Sequence, residues 1–112
     1  MEMIKKIVTL IDEKKGLQIA ALDVQGISPI TDYLVIASAE TVKQTQSLAD
    51  HVMKRLKEDD SLTCRHLDGY ANGEWIIMDY FDFLVHLFTP EKRELYDLDN
   101  LYGGGRKVEA HD

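Results

Sequence analysis

The sequence predicts a single α+β domain in which helices pack on a mixed sheet of about five strands. Helical and strand-like patterns follow one another in the order α-β-β-α-β-β-β-α, with no internal repeat and no linker-like stretch between them. A chain of 112 residues buries roughly two-thirds of its unfolded surface, which suffices for one core. Cys64 is the only cysteine, so an internal disulfide is excluded.

The first part of the chain predicts one helix and two strands. Range 3–15 is predicted to be helical because apolar residues recur at helical spacing, and Gly16 lies where the helix would end. Range 17–24 predicts a strand, and turn residues at 26–29 separate it from a second strand at 32–38. The second strand is apolar at nearly every position, which predicts burial on both of its faces.

The clearest predicted helix covers 41–58, with Thr41 as its N-cap. The acidic run Glu58-Asp59-Asp60 is expected to end this helix in a solvated loop. A short strand at 64–67 and a turn-rich connection at 68–73 then lead into the next element.

The stretch from Gly73 to Pro90 contains the only tryptophan, Trp75, and all three phenylalanines, and it predicts a β-hairpin that turns near Phe81 and Asp82. Neither turn residue is glycine, so we expect a four-residue loop around a type I turn. The resulting register places Tyr80 opposite Phe83, Asp79 opposite Leu84, Ile77 opposite His86 and Trp75 opposite Phe88.

Side-chain alternation divides this hairpin into two faces. The first is a predicted core face and carries Ile76, Met78, Tyr80, Phe83, Val85 and Leu87. The second carries Trp75, Ile77, Asp79, Leu84, His86 and Phe88. Large aromatic side chains beside an acid and a histidine are typical of a protein-binding surface. The alternative is a sheet covered by helices on both sides, in which case the second face is ordinary core.

A final helix is predicted to begin at Pro90, which suits the first helical position, and to be interrupted near Asp97. Its apolar positions at roughly helical spacing are Leu95, Leu98 and Leu101. The glycines at 103–105 end the regular structure. We therefore expect the domain to span residues 1–102 and a disordered tail to span 103–112.

The net charge indicates which kinds of partner the protein is expected to bind. Thirteen basic residues against twenty acidic ones give a net charge of −7. Phosphate backbones repel such a chain, so DNA binding is not expected and contact with rRNA would be peripheral at most; a basic protein partner suits this charge. No apolar run approaches the ~20 residues of a membrane span, and the N-terminus lacks a secretory signal. The sequence predicts a soluble cytoplasmic protein.

Catalytic motifs are missing from the sequence, which contains no phosphate-binding loop, nucleophile elbow or metal-binding histidine pair. We therefore predict no catalytic residue, no metal site and no cofactor. Asp79 and Asp82, together with Asp68, form an alternative Mg²⁺ site, although Asp82 is interpreted as an acceptor for turn N–H groups. His86 is placed to pair diagonally with Asp79, and without a nearby nucleophile it is interpreted as a structural or interface histidine.

Two segments resemble the signatures of a known family. The first is Leu22-Asp23-Val24-Gln25-Gly26-Ile27-Ser28-Pro29-Ile30-Thr31-Asp32-Tyr33-Leu34-Val35-Ile36-Ala37-Ser38; the second is Trp75-Ile76-Ile77-Met78-Asp79-Tyr80, followed by Asp82, Val85-His86, Phe88, Pro90-Glu91, Arg93 and Tyr96-Asp97-Leu98. With the helix at 44–50, they resemble the ribosomal silencing factor S (Iojap) family over roughly residues 4–102. Two residues depart from that pattern: Phe81 replaces a usual glycine and Tyr102 a common tryptophan.

The resemblance implies a non-enzymatic factor whose fold is related to nucleotidyltransferases but lacks their Gly-Ser and Asp-x-Asp motifs. Such a factor binds the large ribosomal subunit through a basic protein of its intersubunit face, the fourteenth of the large-subunit series. It blocks subunit joining, represses translation when nutrients are short and can aid large-subunit maturation. The expected anchor is Trp75, with Asp79, His86 and Phe88 on the same face of the hairpin. Met78 and Tyr80 join this contact only if they lie at the hairpin end or at the sheet edge, so Trp75, Asp79 and His86 rank first. The alternatives are a Mg²⁺-dependent nucleotidyltransferase-like enzyme and a homodimeric interaction module.

Overall fold

The computed structural model describes residues 2–101 and 106–108, and it confirms the predicted order of the first eight elements. These are α1 (Glu2–Glu13), β1 (Leu17–Asp23), β2 (Tyr33–Ser38), α2 (Val42–Asp60), β3 (His66–Asp68), β4 (Trp75–Asp79), β5 (Phe83–Phe88) and α3 (Pro90–Tyr96). Two short elements follow, α4 (Leu98–Leu101) and β6 (Arg106–Lys107). The α+β fold class is therefore confirmed.

The strands form one mixed sheet in the order β3-β4-β5-β2-β1-β6. β2 and β5 run parallel, whereas every other neighbouring pair runs antiparallel. β2 lies inside the sheet, and its residues from Leu34 to Ser38 are all buried. Its apolar composition predicted this burial on both faces.

The prediction of a disordered tail is wrong for the part of it that the structure describes. Arg106 lies opposite Asp23 in the sheet, and the backbone N–H of Val108 donates to the carbonyl of Ala21 at 2.9 Å. The remaining tail residues, 103–105 and 109–112, lie outside the described residues. Without β6, β1 would be an edge strand, whose open backbone groups pair readily with another strand.

Helices α1 and α2 cover one face of the sheet and enclose the main core. The predicted core face of the hairpin is confirmed, because all six of its side chains are buried there: Ile76, Met78, Tyr80, Phe83, Val85 and Leu87. The opposite face of the sheet carries a second, smaller core cluster, to which α4 contributes Leu98. Helices thus lie on both sides of the sheet, and the second face of the hairpin is partly covered.

Helix α2 is fixed at its start and joined to the hairpin. The Thr41 side chain accepts the backbone N–H of Gln44, and the Gln44 side chain accepts that of Thr41, so the predicted N-cap is confirmed. The buried hydroxyl of Thr45 donates to the carbonyl of Gly73. Gly73 has φ +77°, and a Cβ there would lie 2.3 Å from Cγ1 of Val42. The loop that enters β4 therefore packs against α2 in a way that requires glycine.

The predicted hairpin register is confirmed, but the predicted turn type is wrong. Phe81 has φ +75°, whereas both central residues of a type I turn have negative φ. The N–H of Asp82 donates to the carbonyl of Tyr80 at 2.9 Å, which is the bond of a three-residue γ-turn. The side chain of Asp79, not that of Asp82, accepts a turn N–H, from Phe81 at 2.7 Å.

Phe81 predicts an unusual stability effect. A non-glycine residue at such a positive φ costs on the order of 1–3 kcal/mol, while the contact of its ring with the Arg65 guanidinium, 5.2 Å away, returns about 0.5–1 kcal/mol. We expect Phe81→Gly to raise the free energy of unfolding by about 1 kcal/mol, as measured by urea denaturation. Phe81→Ala keeps the strain and loses the ring contact, so it should be less stable than the native protein. A Gly variant less stable than the Ala variant would contradict the strain argument.

Candidate functional site

Four aromatic rings meet on the second face of the hairpin, and we call them the aromatic cluster: Trp75, His86, Phe88 and Tyr96. Trp75 and Phe88 face each other across β4 and β5, and their ring centroids lie 5.1 Å apart. Tyr96, the last residue of α3, contacts the other part of the Trp75 surface, with ring centroids 4.4 Å apart. The half-buried indole is thus held between the sheet and α3.

A hydrogen bond orients the Trp75 indole. Its Nε1–H donates to Nδ1 of His86 at 2.9 Å. Burial lowers the pKa of His86 from its ordinary value of 6.5 to about 4, so the imidazole is neutral at pH 7. Since Nδ1 accepts the bond, the proton of the neutral ring is on Nε2. The expected pairing of His86 with Asp79 is wrong, because the Asp79 carboxylate accepts the N–H of Phe81 instead.

Helix α3 reaches the cluster because both of its ends are fixed. Pro90 begins the helix as predicted, and Asp97, with φ +47°, ends it at the predicted interruption. The guanidinium of Arg93 donates to the Asp99 carboxylate at 2.9 Å, to the Ser38 hydroxyl at 3.0 Å and to the carbonyl of Gln18. Arg93 therefore joins α3 and α4 to the ends of β1 and β2. This contact decides where Tyr96 lies.

The outer surface beside the cluster is apolar and acidic. Tyr96 is 47% exposed and Leu95 is 68% exposed, although the helical spacing grouped Leu95 with the buried Leu98. Glu91 and Glu94 line a shallow depression next to Leu95. The sequence analysis did not identify Leu95 as a surface residue.

 Leu95 and Tyr96 are thus the two additions that the structure makes to the predicted site. Their signal in the sequence is an apolar and aromatic pair at the end of a charged helix.

The structure removes three of the predicted contact residues from the surface. Met78 and Phe88 are 0% exposed and Tyr80 is 5% exposed. Tyr80 stacks on Phe83 with ring centroids 4.9 Å apart, and burial raises the pKa of its phenol. Even-numbered positions of β4 face the main core, and Tyr80 continues that alternation past the end of the strand. These three side chains therefore support the surface from beneath and do not form part of it.

Of the predicted contact residues, Trp75 and Asp79 remain half-buried, and His86 is 7% exposed. Asp68 lies opposite Ile77 on the neighbouring strand, two pairs away from Asp79. Among residues 2–101 and 106–108, no group of three or more histidine, cysteine or acidic side chains is arranged to hold a metal ion. No helix in this described part of the chain is long and apolar enough to cross a membrane.

Comparison with known proteins places the chain in a family. The family model described as "Ribosomal silencing factor during starvation", RsfS, matches residues 1–112. The chain belongs to the RsfS family. The resemblance drawn from the two sequence segments is therefore confirmed.

Two relatives illustrate the breadth of this family. The ribosomal silencing factor RsfS of Halalkalibacterium halodurans is 33% identical over 96% of this chain and 92% of its own length. A mouse protein named "Mitochondrial assembly of ribosomal large subunit protein 1" is 27% identical over 88% of this chain, which spans only 44% of that longer protein. The names of both relatives concern the ribosome, and neither name describes an enzyme.

A solved structure supports the fold independently. A crystal structure of a protein from Bacillus halodurans aligns with a TM-score of 0.82 and 30% sequence identity. The alignment covers 96% of this chain and 97% of that one. The α+β architecture described above is therefore shared along almost the whole length of both chains.

The buried, neutral His86 predicts that the protein loses stability in acid. The unfolded chain takes up a proton near pH 6.5, but the folded protein does so only near pH 4, so the unfolded state binds more protons between these values. The contribution of His86 is complete above pH 6.5. Its loss by pH 4 amounts to on the order of 3 kcal/mol in the free energy of unfolding.

Urea denaturation across this pH range measures the effect. His86→Gln keeps an acceptor near the indole but cannot titrate, so it should show a flatter dependence of stability on pH. His66→Gln, at an exposed position of β3, is the matched control and should retain the native dependence. An unchanged pH dependence in His86→Gln would contradict the assignment.

Proposed function

We propose that this protein is a translation repressor that binds the large ribosomal subunit through the aromatic cluster and so prevents the small subunit from joining. The observation that carries this proposal is a half-buried tryptophan, held between β5 and α3 beside the glutamates of α3, in a chain of the RsfS family. The family description supports a role during starvation. The binding is a docking event and involves no catalytic step.

The chemistry of the surface supports a protein anchor. Tryptophan and tyrosine contribute most to binding when they are rigid and surrounded by residues that exclude water. Trp75 meets this condition because Phe88 lies beneath it and His86 fixes its indole. Glu91 and Glu94 give the adjacent helix an acidic outer side. A basic protein complements this surface, whereas the phosphates of rRNA do not.

The residues divide into two roles under this proposal. Trp75 and Tyr96 touch the partner, with Asp79 and Leu95 at the margin of the contact. His86 is a positioning residue that acts through the indole. Met78, Tyr80 and Phe88, which were also candidates for the contact, are buried and hold the strands beneath it.

The partner we propose is the basic fourteenth protein of the large-subunit series, on the intersubunit face. A domain of this size bound there blocks subunit joining by steric exclusion, which needs no conformational change in either particle. The name of the mouse relative supports a further role in assembly of the large subunit. Both roles use the same surface of this chain.

Removal of the anchor should abolish binding. We expect Trp75→Ala to lose about 2 kcal/mol or more of binding free energy, a roughly thirtyfold weaker affinity, in co-sedimentation with purified large subunits. Tyr96→Ser should weaken binding less and leave the fold stable, because Tyr96 is 47% exposed. Circular dichroism verifies that both variants are folded.

Leu67→Ser is the matched control, because Leu67 is 41% exposed on β3 and lies opposite Met78, on the other face of the sheet from Trp75. This variant should sediment like the native protein. A folded Trp75→Ala variant that co-sediments undiminished would remove Trp75 as the anchor.

The proposed steric block has a direct readout in subunit profiles. Purified protein mixed with large subunits before small subunits are added should shift sucrose-gradient profiles from joined ribosomes to free subunits. Trp75→Ala should leave joined ribosomes intact at the same concentration. Native protein that sediments with large subunits while joining proceeds normally would separate binding from silencing and refute the steric mechanism.

A further inference from the structure

A second surface with exposed apolar side chains lies at the other end of the hairpin, and we call it the tip groove. It has a volume of about 130 Å³ and is lined by residues of the β1–β2 loop and of the hairpin turn. Its two large apolar side chains are Ile30, 69% exposed, and Phe81, 64% exposed. Single exposed apolar residues are common, but two that share one groove are less so.

The tip groove is held in shape by hydrogen bonds between its two walls. The Thr31 hydroxyl donates to the carbonyl of Phe81 at 3.3 Å. The carbonyl of Asp82 accepts the backbone N–H of Asp32 at 3.1 Å. Because these bonds join the loop to the turn, Ile30 and Phe81 do not need to be ordered when a partner binds, and the entropic cost of binding is reduced.

Packing of this domain does not account for Phe81. Its backbone has φ +75°, a conformation that glycine adopts without strain, and its ring lies outside both core clusters. The tip groove is also distinct from the aromatic cluster, because Trp75 begins β4 and Phe81 follows its end, and β4 extends over about 13 Å at the usual rise per residue. A strained, exposed aromatic residue on a fixed turn points to recognition.

The groove itself indicates the chemistry of its occupant. The guanidinium of Arg65 lies 5.2 Å from the centre of the Phe81 ring, so this ring already holds an arginine on one side. Asp32 and Asp82 line the groove with exposed carboxylates, and neither forms an ion pair within the described part of the chain. A partner that brings a cation beside an apolar side chain would complement both the carboxylates and the apolar side chains of the groove.

The geometry points to the tip groove as a second docking surface, which takes a basic protein segment that carries an arginine next to an apolar residue. The apolar residue packs between Ile30 and Phe81, and the guanidinium lies against the carboxylates of Asp32 and Asp82. This inference rests on the proposed function in that the large subunit is the particle that supplies the segment. RNA is disfavoured because both carboxylates repel phosphate.

Co-sedimentation with purified large subunits tests the surface. We expect Phe81→Gly, which should be at least as stable as the native protein, to bind about tenfold more weakly, and Ile30→Ser to behave alike. Ile27→Ser is the matched control, because Ile27 is 48% exposed in the same loop but does not line the groove. Its affinity should be unchanged.

Photo-crosslinking tests the occupant. With p-benzoylphenylalanine in place of Phe81, irradiation of the complex with large subunits should give a crosslinked protein peptide that contains arginine. Crosslinks to rRNA, or none in a complex that still forms, would overturn the assignment.

The outcomes separate the two proposals. If native protein binds large subunits and Trp75→Ala does not, but Phe81→Gly and Ile30→Ser bind like Ile27→Ser, the tip groove is not a docking surface and the proposed function stands. If native protein does not bind large subunits at all, both proposals fall together.

Discussion

The antiparallel register of β4 and β5 is the constraint on which the rest of this structure depends. It sets Trp75 opposite Phe88 and Ile76 opposite Leu87, so one side of the hairpin fills the main core while the other carries the aromatic cluster. Because side chains alternate with a period of two, a slip of one residue would exchange the two sides. Ile76 and Met78 would then leave the main core and the tryptophan would enter it. Burial of the core face therefore fixes the register, and the register fixes the position of the aromatic cluster.

The second face of the sheet is partly buried and partly accessible because α3 and α4 cover only part of it. Leu98 completes the smaller core cluster, while Tyr96, two residues earlier, contacts the half-buried Trp75. The hydrogen bonds of Arg93 to the sheet and to Asp99 fix this division. Burial on one side of the indole gives it rigidity, and exposure on the other leaves it accessible, which is the combination that a binding anchor requires.

The hairpin presents its two ends to solvent in different ways. At the Trp75 end a helix supports the aromatic surface, whereas at the Phe81 end a hydrogen-bonded turn displays a single strained ring beside Ile30. Acidic side chains accompany both ends, which agrees with the net charge of −7. Two such surfaces on one rigid hairpin would fix the orientation of a bound factor, and orientation is what steric exclusion of another particle depends on.

Local periodicity and turn residues were enough to predict the order of the first eight elements, the register of the hairpin and its core face. Local patterns did not predict the turn type, the strand at Arg106–Lys107 or the exposure of Leu95 and Tyr96. Each of these depends on contacts between segments distant in the chain: an open edge of β1, the Arg93 hydrogen bonds and the packing of α3 on the sheet. The aromatic residues were evident in the sequence, but which of them are exposed depends on the tertiary structure, since alternation gives the side of a strand and not what covers it.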